Sequence, residues 1–80
     1  MPRASIRPAI LALLEERASH GYEVVARLNV AGKGADTVSV YRALRAMEAE
    51  GIVSSTWDVS QRGPARRVYV PTPAGRAVGV

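Results

Sequence analysis

The 80-residue sequence contains no cysteine and a single histidine, His20. The absence of cysteine excludes disulfides, thiolate metal sites and cysteine nucleophiles, and one histidine cannot build a multi-histidine zinc site. The sequence has no nucleophile beside a base, and its closely spaced glutamates fall at helical positions that point in different directions. We therefore predict neither a catalytic site nor a metal or cofactor site.

Long apolar runs are also missing. No run approaches the roughly 18 residues that span a bilayer. The N-terminus lacks the charged, apolar and cleavage regions of a signal peptide. We therefore expect a cytoplasmic protein that does not contact a membrane.

Acidic residues are absent from the chain beyond Asp58. Four arginines follow it, namely Arg62, Arg66, Arg67 and Arg76. The whole chain carries a net charge of +4. Such a local excess of positive charge favours a polyanionic partner.

A helix with a signal at each end is predicted from Asp36 to Gly51. Asp36 is a favourable N-cap, and Gly51 is a favourable residue just past a helix C-terminus. Val40, Leu44 and Met47 recur with helical spacing and predict an apolar face against a core.

The opposite face of this helix carries Val38, Arg42, Arg45 and Ala49. Small residues and arginines fit a DNA major groove, because arginine binds guanine and phosphate in a bidentate way. The alternative is an ordinary solvated helix in which Arg45 pairs with Glu48.

Two further helices are predicted before this one. The first spans Ile6 to Arg17, with Ser5 as N-cap and Pro8 in the opening turn. The second runs from about Gly21 to Val30. His20 at its start is interpreted as a structural group that bonds a backbone atom, rather than a pH switch or a ligand. Arg3 and Arg7 form either a basic arm or a solvated terminus.

A hairpin follows the third helix. Its strands are predicted at Ile52–Asp58 and Arg66–Val70, with Arg62 near the tip of the turn between them. Trp57 and Tyr69 are expected in the core or as cross-strand partners. A last helical turn, 73–78, is expected to begin with Pro73 after the cap Thr72.

This order of elements is typical of an α+β winged helix-turn-helix fold. Three helices are followed by a two-stranded hairpin wing and a short C-terminal helical turn, and residues 1–80 are expected to form one domain. In such folds the third helix, here 36–50, enters the major groove, and the wing, here 59–67, lies on the flanking backbone. Arg66 and Arg67 would lie on opposite faces of the returning strand.

Several segments in this order and spacing are those of one protein family. They are Ile10-Leu11-Ala12-Leu13-Leu14, His20-Gly21-Tyr22-Glu23, Val40-Tyr41-Arg42-Ala43-Leu44, Met47-Glu48, Glu50-Gly51-Ile52-Val53, Trp57, Arg66-Arg67-Val68-Tyr69 and Thr72-Pro73-Ala74-Gly75. On these residues the chain resembles the PadR family of bacterial transcriptional regulators. The resemblance implies a winged-helix domain that represses transcription from a pseudo-palindromic operator.

The resemblance also implies which residues contact double-stranded DNA. Together with the charge pattern it predicts nine, namely Thr37, Val38, Ser39, Tyr41, Arg42, Arg45, Arg62, Arg66 and Arg67. Val70-Pro71 departs from the polar residue and leucine usual in the family, so the exit from the wing is expected to differ locally.

A second departure bears on partners. Family members continue into a long helix that makes most of the dimer interface, and only Ala74 to Val80 remain here. The protein would then form a homodimer through another surface, act as a monomer or with another subunit, or be a truncated chain. The alternative function is an interaction module that binds another regulator subunit, through the same surface or through apolar residues near Val78 and Val80.

Overall fold

The computed structural model describes residues 6–32, 34–59, 63 and 65–78. Its helices are α1 (Arg7–Glu16), α2 (Gly21–Val30), α3 (Thr37–Ala49) and α4 (Pro73–Val78). Its strands are β1 (Ser19–His20), β2 (Val53–Asp58) and β3 (Arg66–Pro71). The predicted order of three helices, a hairpin and a C-terminal helical turn is confirmed.

Helix α1 is shorter than predicted at both ends. Its N-cap is Ile6 rather than Ser5, which lies outside the described residues, and no side chain caps the helix. Pro8 falls in the first turn, where a missing N–H costs no hydrogen bond. At the other end, Arg17 leaves the helix with an extended backbone (φ −169°, ψ 151°).

Helix α3 is closed at both ends by the predicted residues. The Asp36 carboxylate accepts a hydrogen bond of 3.1 Å from the Ser39 backbone N–H. Past the C-terminus, Gly51 has φ +79° and its N–H donates to the Glu48 carbonyl, while the Ile52 N–H donates to the Met47 carbonyl. These paired bonds form a Schellman motif, which satisfies carbonyls that the helix end leaves without partners.

The sheet has a third strand that the sequence pattern did not predict. Its strand order is β1-β3-β2, with both pairs antiparallel. The two residues of β1, which lie between the first two predicted helices, pair with Tyr69 and Val68. Strand β3 also runs one residue further than predicted, to Pro71, which pairs with Val53 of β2. Proline is tolerated at this position because β1 pairs only with Tyr69 and Val68, so Pro71 has a neighbouring strand on one side only.

The core lies between the three long helices and one face of the sheet. The predicted apolar face of α3 is buried, and Tyr69 joins it from β3 with 4% of its surface exposed. The buried apolar residues are Ile10, Leu11, Leu14, Val24, Leu28, Val40, Leu44, Met47, Val53 and Tyr69. Over the part of the chain that the structure describes, no helix has the length and apolar character needed to cross a membrane.

Arg27 ties α2 to the end of α1 and to β1. Its guanidinium donates to the Leu13 carbonyl at 3.2 Å, to the Ser19 hydroxyl at 2.9 Å and to the Glu16 carboxylate at 2.7 Å. Ser19 is 1% exposed, so this arginine satisfies a buried hydroxyl as well as a carbonyl in the last turn of a helix.

The C-terminal helix α4 begins as predicted, with Thr72 as its cap. The Thr72 hydroxyl accepts a hydrogen bond of 3.0 Å from the Gly75 N–H and lies 2.6 Å from the Gly51 carbonyl oxygen. Gly75 is buried against the Ile52 carbonyl, where a Cβ atom would collide with backbone. This close approach docks α4 on the segment that ends α3.

Candidate nucleic-acid interface

The face of α3 opposite the core is exposed, as predicted. Val38 is 63% exposed, and Arg42 and Arg45 are exposed beside it. A depression of about 360 Å³ runs along this face, lined by Thr37, Val38, Tyr41, Arg42 and Arg45. The structure therefore brings together five of the six residues predicted on this helix.

Ser39, the sixth of these residues, acts in the N-cap of α3. Hydrogen bonds from its hydroxyl and backbone N–H lower the pKa of Asp36. Asp36 is therefore ionised near neutral pH and sits at the positive end of the helix, where a carboxylate is stabilising. Ser39 remains exposed on the first turn.

Tyr41 connects the helix face to the sheet. It lines the α3 depression and also a second one of about 420 Å³, whose lining residues are His20, Gly21, Tyr22, Tyr41, Arg66, Arg67 and Tyr69. Its ring packs on Gly21 so closely that an added Cβ atom would lie 2.5 Å from Cε1. The helix arginines and the β3 arginines thus border one surface with Tyr41 at its centre.

Sequence reasoning did not include Gly21 and Tyr22 in this surface. Tyr22 is 71% exposed and lines the second depression. The available signal was the glycine at the first position of a helix, where a residue with a side chain would be ordinary. Position 21 requires glycine because the ring of Tyr41 packs against it. Tyr41 lies about 20 positions further along the chain, so no local sequence pattern reveals this contact.

Three arginines on this surface have no acidic partner. In the described ranges, Arg42, Arg45 and Arg66 take part in no ion pair. The alternative pairing of Arg45 with Glu48 is wrong, because Glu48 turns toward the sheet. It accepts a hydrogen bond of 2.6 Å from the Ser55 hydroxyl and lies 3.4 Å from the Arg67 guanidinium.

Arg67 differs from Arg66 in its surroundings. Arg66 lies opposite Asp58 on one face of the hairpin, while Arg67 lies opposite Trp57 on the other, as predicted. The Arg67 guanidinium stacks 5.0 Å from the centroid of the Trp57 ring. Trp57 is 60% exposed and is therefore a cross-strand partner rather than a core residue. Arg67 is braced between this ring and α3.

The remaining predicted groups have mixed outcomes. His20 is structural, as predicted, with both ring nitrogens near carboxylates. Arg7 forms neither an arm nor a solvated terminus, because it makes a bidentate ion pair of 2.8 and 2.9 Å with Glu50. Arg3 and Arg62 lie outside the described residues.

Among the residues with described positions, no group of three or more His, Cys, Asp or Glu could hold a metal ion.

A three-helix core, a three-stranded sheet with an extended hairpin and a basic face centred on the third helix define a winged-helix domain. A model of the transcriptional regulator PadR-like family matches residues 10–79. Transcriptional regulator Rv3488 of Mycobacterium tuberculosis is 37% identical over 75 residues, which make up 94% of this chain and 69% of that protein. The chain therefore belongs to the transcriptional regulator PadR-like family.

Solved structures agree on the fold. The crystal structure of a PadR family transcription regulator from Clostridium difficile R20291 has a TM-score of 0.86 at 23% identity, covering 95% of this chain and 80% of that one. Bacillus subtilis PadR in complex with operator DNA has a TM-score of 0.83 at 21% identity, covering 92% of this chain and 44% of that one. The family and these neighbours are transcriptional regulators rather than enzymes.

Proposed function

We propose that this chain is a sequence-specific DNA-binding repressor that acts in the cytoplasm. The observation that carries the proposal is the set of exposed arginines around Tyr41, namely Arg42, Arg45 and Arg66, which form no ion pair within the described part of the chain. An arginine without a carboxylate partner is free to bind phosphate or guanine in a bidentate way.

In this proposal the residues on α3 read the DNA sequence. Arg42 and Arg45 reach base edges or phosphates in the major groove, and Thr37, Val38, Ser39 and Tyr41 line the groove wall beside them. An α-helix fits into the major groove, so an exposed helix face of this kind can read base edges there. Support by analogy comes from Bacillus subtilis PadR, a protein of the same fold that has been crystallised with operator DNA.

In this proposal the hairpin contacts the DNA backbone. Arg66 and Arg67 are proposed to lie along the flanking phosphates, together with Arg62, which the sequence pattern assigns to the wing and which lies outside the described residues. Contacts of this kind fix the orientation of a protein on the duplex and add little sequence information. They also make affinity fall with salt, since each neutralised phosphate releases condensed counterions.

The proposal includes two copies of the chain on each operator. Pseudo-palindromic sites are read by dimers whose half-sites lie about one helical turn apart. A single α3 would contact only one half-site and would lose much of the affinity and specificity. In the alternative arrangement, a different regulator subunit contacts the second half-site in place of a second copy of this chain.

Fluorescence anisotropy tests the proposal with duplexes from the region upstream of the gene and with a scrambled duplex, over a range of salt concentrations. We expect tighter binding to the upstream duplex, with two chains per site at saturation. Arg42→Ala should weaken this binding by about 1–3 kcal/mol and reduce the preference for the upstream duplex. Arg66→Ala and Arg62→Ala should weaken both duplexes alike and flatten the salt slope.

Arg7→Gln is the matched control. It removes one positive charge from the ion pair with Glu50 at the far end of α3, so it should leave the preference between duplexes unchanged. Equal binding of both duplexes by the wild-type protein, unaffected by Arg42→Ala, would refute the role of α3. Capture of a stoichiometric protein partner without DNA would favour the interaction module instead.

A further inference from the structure

Three tyrosines and two arginines meet in the second depression, between the start of α2, the exposed face of α3 and strand β3. They are Tyr22, Tyr41, Tyr69, Arg66 and Arg67. All three tyrosines of the chain therefore lie around one opening of about 420 Å³. Phenol and guanidinium groups are hydrogen-bond donors, so the wall of this depression offers several donors to one ligand.

The three rings line the depression at different heights. Tyr69 is 4% exposed and lies at the base, because its ring belongs to the core. Tyr41 is half-buried, and its contact with Gly21 holds the ring at one side. Tyr22 is 71% exposed and forms the outer wall, although an aromatic ring gains free energy when it is covered.

The hydroxyls of these tyrosines are open to a ligand. Among the residues that the structure describes, none of the three phenol hydroxyls has a hydrogen-bond partner. Every buried side-chain polar atom of the same residues does have one. The Tyr69 hydroxyl is therefore not buried, and the small exposed part of this residue includes its polar end.

The depression is positively charged. Arg66 forms no ion pair with any other described residue. No carboxylate is among the described residues that line the depression, and the nearby Glu23 and Asp58 contact the ring of His20. Open phenol hydroxyls beside a guanidinium without a carboxylate favour an anion with several acceptor oxygens.

The position of the depression indicates which anion it receives. It adjoins the α3 depression, because Tyr41 lines both. It lies between the face of α3 that is proposed to read bases and the β3 arginines that are proposed to follow the flanking phosphates. A DNA strand that runs from α3 to the hairpin passes over it. Phosphates of such a strand accept hydrogen bonds from arginine and tyrosine side chains.

We propose that the second depression is a phosphate-binding subsite for the DNA backbone, in which the Tyr22 hydroxyl donates to a phosphate oxygen beside Arg66. This role rests on the proposed DNA-binding function and adds a contact from α2 to those of α3 and the hairpin. The deoxyribose next to the phosphate packs on the exposed Tyr22 ring. A backbone contact of this kind positions the duplex and carries no sequence information.

Tyr22→Phe removes the hydroxyl and keeps the ring, at an exposed position where the change should not affect folding. In anisotropy titrations we expect the Kd for the upstream and scrambled duplexes to rise by the same factor, about three- to tenfold. The salt slope should stay that of the wild type, because tyrosine has no charge with which to release counterions. Replacement of Arg66 should instead flatten the slope. Ser54→Ala is the matched control, because it removes an exposed hydroxyl that lines neither depression.

Duplexes in which one phosphate at a time is replaced by a neutral methylphosphonate locate the contact. At one position the effect of Tyr22→Phe should shrink to less than about twofold, because the neutral group is a weaker acceptor. At the other positions the effect should be undiminished. Inorganic phosphate at constant ionic strength should not displace the duplex. Displacement that Tyr22→Phe abolishes would make the subsite one for a free anion and would overturn its assignment to the DNA backbone.

The remaining outcomes separate the subsite from the proposed function. A Tyr22→Phe variant that binds both duplexes as the wild type does, or an effect that no methylphosphonate reduces, overturns the subsite and leaves the DNA-binding function standing. If the variant weakens both duplexes and the wild type binds them equally, the subsite stands and sequence-specific repression fails. A wild-type protein that binds no duplex overturns both.

Discussion

Replacing Gly21 by alanine should disturb the surface around Tyr41 more than it disturbs the fold. The new Cβ atom would lie 2.5 Å from Cε1 and 2.8 Å from Cζ of the Tyr41 ring, and 3.0 Å from its hydroxyl oxygen. These distances are too short for carbon and oxygen atoms, so one side must move. The backbone of α2 is held by the core, whereas the clashing atoms belong to the far end of a half-buried side chain.

The size of the effect follows from two opposing contributions. Overpacking of this kind costs about 1–3 kcal/mol, and the low end applies because the ring can rotate away. Alanine in place of glycine returns about 0.5–1 kcal/mol by restricting the unfolded chain. We therefore expect a net loss of no more than about 0.5 kcal/mol in the free energy of unfolding. Displacement of Tyr41 should raise the Kd for the upstream duplex about three- to tenfold.

Urea unfolding and anisotropy together test this reasoning through a double-mutant cycle. In a Tyr41→Ala background the steric conflict is absent, so Gly21→Ala should become neutral or stabilising. The coupling free energy between the two positions should then be about 1 kcal/mol or more. Additive effects, within about 0.3–0.5 kcal/mol, would show that the ring does not meet position 21 and would refute the packing described above.

Two further predictions concern stability. Arg27→Met should lower the free energy of unfolding by about 2–3 kcal/mol in urea, because the Leu13 carbonyl, the buried Ser19 hydroxyl and Glu16 lose their charged donor; an unchanged midpoint would contradict this. Acid should also destabilise the protein, because hydrogen bonds lower the pKa of Glu23, Asp36 and Glu50 in the folded state. The stabilisation from these carboxylates is complete above their pKa values in the unfolded chain, which are about 4. It is lost as the pH falls through their lower pKa values in the folded protein. Thermal melts from pH 7 to pH 2 would detect the loss, which should be smaller in Glu50→Gln.

The parts of the fold that depend on local signals could be predicted. Helix α3 has a capping aspartate, a periodic apolar face and a glycine that adopts φ +79°, and each signal lies within or next to the helix. Helix α2, predicted from about Gly21 to Val30, has those bounds in the structure. The exposed face of α3 followed from the same periodicity, since a helix that buries Val40 and Leu44 must turn Arg42 and Arg45 outward.

The features that were missed depend on residues far apart in the chain. Strand β1 has only two residues, and its pairing requires β3 about 50 positions later, so no local pattern marks it. The spacing of Arg45 and Glu48 permits an ion pair on an isolated helix. It does not form because the sheet supplies Ser55 and Arg67 as better placed partners. Helical spacing shows which pairs are possible, and tertiary packing selects among them.

The basic face of this molecule results as much from the placement of its carboxylates as from the number of its arginines. A net charge of +4 could be spread evenly, yet each of the seven acidic side chains already has an interaction of its own, namely Glu15, Glu16, Glu23, Asp36, Glu48, Glu50 and Asp58. Arginines paired with these groups, such as Arg7 and Arg27, brace the helices. Among the residues that the structure describes, Arg42, Arg45 and Arg66 have no carboxylate partner, and these three border the surface around Tyr41. Affinity for a polyanion should therefore depend on which arginine is removed, and not only on how much positive charge is lost.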